Sequence, residues 1–210
     1  MEELDLLKKD WKKSTASFEQ ISELELYKMI HKKSSSIVKW ILIISILEVL
    51  VWSAIGLVFN DDDYLEKISK SSLETIFKTI NIAGYVITLV FIYLFYRNYV
   101  KISTIASTKQ LMKDILKTRK TVQYYVYYNL IMIAYSIALG FIIAFTFSPE
   151  IDVLKDKIAS NNSAIAISIA LLVLVTLLIF GAFWLFYRLL YGTLLRKLLA
   201  NYKELKKIDL

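Results

Sequence analysis

The chain has 210 residues, of which 57% are hydrophobic, and a formal net charge of +7. Its mean hydropathy of +0.52 is too high for an ordinary water-soluble domain. With no Cys and one His, it has neither disulfides nor thiolate zinc sites, and no metal centre built on several imidazoles of one chain.

The first 36 residues are mostly polar and are expected to form two helical pieces. Leu4, Leu7 and Trp11 make one apolar stripe, and Ser17 with Gln20 fits a capping box. Ile21, Leu24, Tyr27 and Ile30 then recur at three-residue spacing. No basic-then-apolar leader stands at Met1, so a cleaved signal peptide is not expected. Four apolar runs follow, near Ile37–Phe59, Thr79–Tyr96, Tyr124–Phe147 and Ala164–Tyr187. Each approaches the roughly 20 residues that a helix needs to cross about 30 Å of hydrocarbon. A soluble protein of this size has too little polar chain left to cover four such helices. The expected fold is therefore all-α: a four-helix transmembrane bundle with amphipathic cytoplasmic extensions. The divisions are 1–36 (amphipathic segment), 37–96 (first hairpin), 97–123 (basic connection), 124–187 (second hairpin) and 188–210 (tail).

Between and around the runs, the charges are unevenly shared. Residues 1–39, 97–123 and 188–210 carry 21 Lys and Arg, whereas 60–78 and 148–163 carry five. The positive-inside rule places both termini and the central connection in the cytoplasm of a bacterial inner membrane. The net charge then reflects topology and contact with anionic lipid, and no nucleic-acid partner is expected. Tyr-rich stretches at the span ends, "VQYYVYYNL", "FIYLFYRNYV" and "FWLFYRLLYG", are assigned to interfacial belts. "LFYR" occurs at Leu94–Arg97 and again at Leu185–Arg188, which suggests a tandem repeat of two helical hairpins related by an axis along the membrane normal. In the connection, Ile105, Met112 and Ile115 share a face. In the tail, Tyr191, Leu195, Leu198, Tyr202 and Leu205 follow a heptad-like seam. These faces need cover from headgroups, from each other, or from a cytoplasmic protein partner bound through residues 1–33 and 188–210.

One residue stands out. In "WILIISILEVLVWSAIGLVF", residues 40–59, the only charged group is Glu48. On a helix, Ile41, Ser45, Glu48, Trp52 and Gly56 lie within about 80° of one another, a face suited to a neighbouring helix. Small residues expected to let helices approach are Ser45, Gly56, Gly84, Ser136, Gly140 and Ala144. Counting from the span ends puts Thr88, Tyr135, Ser136 and Thr176 at the depth of Glu48, with no Lys, Arg or His there. Glu48 is thus expected to donate a hydrogen bond to a hydroxyl or carbonyl. It serves either as polar glue between helices or in a homo-oligomer contact, or as a proton- or cation-handling group of a small transporter or channel.

Other motifs are weaker. Asp61-Asp62-Asp63 fits an acidic, solvated loop better than a cation site, because no Gly-turned ligand pattern follows. His31 belongs to a basic amphipathic segment. No phosphate-cradling loop, nucleophile triad, metal site or cofactor motif is visible, and no catalytic residue is assigned.

The run "ELYKMIHKKSSSIVKWILIISILEVLVW" resembles small, uncharacterised four-span membrane proteins of Bacteroidota. The label carotene monooxygenase, which such sequences sometimes carry, implies an iron held by four His on a β-propeller. A single His31 and no β-rich pattern rule it out here. The expected role is non-enzymatic: a membrane scaffold or regulator that tethers a cytoplasmic partner. The alternative is a small transporter or channel working through Glu48.

Overall fold

In the computed structural model, the described residues are 22–58, 74–104, 107–147 and 162–208. They form four α-helices: α1, Glu23–Val58; α2, Glu74–Thr104; α3, Thr108–Phe147; and α4, Asn162–Ile208. No strand occurs among the described residues. Each helix holds the described part of one of the four apolar runs and is long and apolar enough to cross a membrane. The chain is a multi-pass, all-α membrane protein. The helices pass without a break through the divisions at 36/37, 96/97, 123/124 and 187/188, so the described parts of the extensions flanking each division belong to the same rods as the spans.

The start of α1 is fixed by a capping box five residues after Ser17 and Gln20, which lie outside the described residues. The Ser22 hydroxyl accepts from the Glu25 backbone N–H at 3.2 Å, and the Glu25 carboxylate accepts from the Ser22 backbone N–H at 3.2 Å. Two otherwise orphaned donors of the first turn are satisfied this way. Leu4, Leu7, Trp11, Ile105 and the Asp61–Asp63 run also lie outside the described residues.

Around the bundle each helix packs on its chain neighbour, and α4 closes the ring by packing on α1; α1 and α3 touch across the diagonal. Packing is not uniform along the rods. The fully buried side chains all sit toward the end that carries the basic segments. One cluster comprises Ile30, Val38, Ile102, Leu111, Ile115, Leu198 and Leu205, with Met112 and Tyr202 against it. A second, adjacent cluster comprises Ile41, Phe95, Val122, Tyr125, Tyr187 and Tyr191, with Leu195 alongside. Buried positions recur at threes and fours: Ile30, Ser34, Val38, Ile41 and Ser45 on α1, and Leu198, Asn201 and Leu205 on α4. That spacing is the knobs-into-holes pattern of near-parallel helices. The tail seam thus packs inside the bundle. Toward the other end, large apolar side chains such as Leu57, Ile82, Ile131 and Leu177 are exposed, as expected where lipid is the surroundings.

Of the long-range polar pairs between α1 and α4, two mark the ends of their shared register. Asn201 donates to the Ser34 hydroxyl at 2.9 Å, with both residues buried, and Tyr187 donates to Glu48. Fourteen residues separate the two contacts on each helix, about 21 Å of rise, so the antiparallel helices stay in step between them. In that register Lys39 lies opposite Arg196, and both are exposed.

Candidate functional site: a carboxyl group held by three tyrosines

Glu48 is partly buried and accepts from three phenols on two other helices. Tyr125 of α3 reaches Oε2 at 2.9 Å, Tyr191 of α4 reaches Oε2 at 3.0 Å, and Tyr187 of α4 hydrogen-bonds Oε1. The carboxyl group is an acceptor here; the expected donor role is reversed because phenols, each with a free O–H, are the groups that converge on it. The tyrosines hold one another in place. Tyr187 and Tyr191 stack at 6.0 Å, one helical turn apart, and Tyr125 meets Tyr191 edge-on at 5.8 Å. Phe95 of α2 packs edge-on against Tyr125 at 5.3 Å. All four helices therefore contribute to the cluster, and Ile41 and Val122 seal its basic side.

The four residues expected at the depth of Glu48 are placed elsewhere in the bonding pattern. Thr88 donates to the Gly84 carbonyl of its own helix at 2.9 Å, and Thr176 donates to the Leu172 carbonyl at 2.8 Å. The Tyr135 hydroxyl is buried without a hydrogen-bond partner. Ser136 lines a cavity beside Trp52 and Asn129. Tyr135 is ten residues beyond Tyr125 along α3, about 15 Å. Depth counted from the span ends goes astray because the first run counts core positions together with outward-facing ones. Ile37, Val38 and Ile41 are apolar because they pack in the protein core. Glu48 consequently sits level with the Tyr/Arg belt: Tyr124 and Arg188 are direct chain neighbours of two of its partners. Arg188 is thus a cation at the depth where none was expected, but it is exposed on the outside of α4 and stacks over Trp184 at 4.8 Å.

Of the small residues, Ser45 is fully buried and donates to the Leu42 carbonyl at 2.8 Å. Gly84 is a close approach: a Cβ there would lie 3.5 Å from Met132 and from the Tyr128 hydroxyl, which itself donates to the Gly84 carbonyl at 3.2 Å. Gly56 and Gly140 face open space, and Ala144 is half-buried.

The missing partners had a signal in the sequence. Leu111, Ile115, Thr118, Val122 and Tyr125 continue one three-four seam on α3, and Tyr187 extends the α4 seam one turn before Tyr191. Belt composition reads equally as headgroup anchoring for Tyr125 and Tyr187, whereas Tyr191 already lies on the tail seam.

Beyond the cluster, the bundle opens. A groove of about 440 Å³ runs between α1 and α4, with Glu48 among its lining residues. Across Trp52 lie two cavities of about 300 and 420 Å³ that share Asn129, Met132 and Ser136. Among the described residues, no three His, Cys, Asp or Glu side chains are grouped to hold a metal ion.

Residues 24–210 match the family described as Domain of unknown function (DUF8845), and the chain belongs to that family. No curated protein and no solved structure matches it.

Proposed function

We propose that this chain is a non-enzymatic scaffold or regulator of a bacterial inner membrane, with both termini and the central connection in the cytoplasm, and that its basic end tethers a cytoplasmic protein partner. The observation that carries this reading is the continuation of all four helices past their apolar runs into a single packed bundle whose core extends from Ile30 to Leu205. Apolar burial drives packing where water would otherwise meet the side chains; in lipid that drive is absent. A core concentrated at the basic end therefore builds a rigid shape at the membrane surface. Its outside is cationic, with Lys32, Lys33, Lys113, Lys117, Lys203 and Lys206 all exposed. Such a surface suits an acidic partner face held against the membrane.

The test is site-specific photocrosslinking in native membranes. A crosslinker at Lys203 is expected to give one discrete protein adduct, and a crosslinker at lipid-facing Leu177 none. Replacing Lys113, Lys117 and Lys206 with Glu should abolish the adduct. No adduct from Lys203, or one indifferent to those charges, would defeat the tethering role. The alternative, proton or cation handling by Glu48, predicts the opposite genetics. Glu48→Gln would then abolish a cellular phenotype in an assembled protein, and the charge-reversed variant would keep it.

A further inference from the structure

We propose that the groove between α1 and α4 binds a compact lipophilic cation, a protonated amine on an apolar body, entering sideways from the bilayer. Its walls are Ile44, Leu47, Val51 and Trp52 of α1 and Phe183 and Phe186 of α4, and Glu48 is the one charged side chain on them. Leu47, Val51 and Phe186 are about half exposed on that side, so the opening faces the surroundings of the spans.

The hydrogen-bond pattern of Glu48 selects the occupant. A carboxylate offers about four lone-pair positions. Two phenols fill Oε2, and Tyr187 alone bonds Oε1. One acceptor position is left, on Oε1, in a side chain that lines an otherwise apolar groove. A bare hydrocarbon chain would fill the space and leave that acceptor dry and unpaired, which is unfavourable. An anion would be repelled. An ammonium N–H donated to Oε1 satisfies the last position and sets opposite charges together where water is scarce. Trp52 and Phe183, whose rings meet at 5.7 Å, line the same groove, and aromatic walls favour a neighbouring cation. A volume of about 440 Å³ accommodates a small aromatic or aliphatic amine and excludes a two-chain lipid.

The site also reaches the rest of the fold. The carboxyl group that would meet the ligand is held on its other side by Tyr125 and Tyr191, both in the core of the bundle. Occupancy is therefore expected to tighten the cluster and raise the thermal stability of the protein.

The experiment uses the full chain in phosphatidylcholine nanodiscs with radiolabelled 4-phenylbutylamine at neutral pH, and empty nanodiscs as the blank. Saturable binding of one molecule per chain is expected, with 4-phenylbutanol failing to compete at equal concentration. Glu48→Gln should weaken binding at least tenfold. Ala182→Trp, which fills the groove without touching the tyrosine cluster, should remove it. Absence of saturable binding overturns the proposal. So does equal competition by the neutral alcohol, which would mean that the groove takes any apolar chain. If Glu48→Gln fails to assemble, Ala182→Trp decides: retained binding places the amine elsewhere and refutes the site.

Discussion

Replacing the partners of Glu48 one at a time and then together separates a hydrogen-bonded cluster from mere proximity. Tyr125→Phe, Tyr187→Phe and Tyr191→Phe each delete one hydroxyl and keep the ring, so the stacked and edge-on contacts survive. Each deletion leaves Glu48 with two donors. The loss is one charge-assisted bond, weighed against the modest values found for polar contacts between membrane helices, or about 1–2 kcal/mol. Glu48→Leu is different in kind. It strands three phenols, two of them on one helix and able to pair only partly with each other, and should cost about 3–5 kcal/mol. The informative variant combines all four changes. With no donor and no acceptor left, nothing is orphaned, and the quadruple variant should be more stable than Glu48→Leu alone by about 2 kcal/mol. The assay is reversible unfolding in mild detergent followed by circular dichroism, with the non-additivity read from the mutant cycle. If the quadruple variant is no more stable than Glu48→Leu, or if the three single variants cost nothing measurable, the tyrosines do not bond the carboxyl group.

The packing gradient predicts that Leu198→Ala, fully buried at the basic end, costs about 2–5 kcal/mol, while Leu177→Ala, 64% exposed, changes stability by less than about 0.5 kcal/mol; the same unfolding assay reads both. At Gly84, Ala should be tolerated and Leu should cost about 1–3 kcal/mol, because the added branches meet Met132 and Tyr128. At Gly140, where a Cβ meets nothing, Ala should gain up to about 1 kcal/mol of helix propensity; thermal scans would reveal the contrast. The proposed orientation can be checked because the chain has no Cys. A membrane-impermeant maleimide on spheroplasts should label Asn162→Cys and leave Lys203→Cys unlabelled until the membrane is opened. The reverse pattern would invert the topology.

Hydropathy along the chain was enough to determine that four helices form, that each is long enough to span a bilayer, and that no strand occurs among the described residues. These are local properties: a run of twenty apolar residues is helical and membrane-compatible whatever its neighbours do. The heptad-like tail was legible for the same reason, since its period lies within one helix. The surroundings of Glu48 were not. Its partners are 77, 139 and 143 residues away, and which turn of one helix faces which turn of another depends on side-chain packing across the bundle. An apolar residue also looks the same in a sequence whether lipid or protein covers it. Counting Ile37, Val38 and Ile41, which are bundle core, together with outward-facing positions carries the expected depth of Glu48 about 15 Å too far along α3. Only the tertiary register, pinned by Ser34 to Asn201 and by Glu48 to Tyr187, turns belt tyrosines into ligands of a carboxyl group.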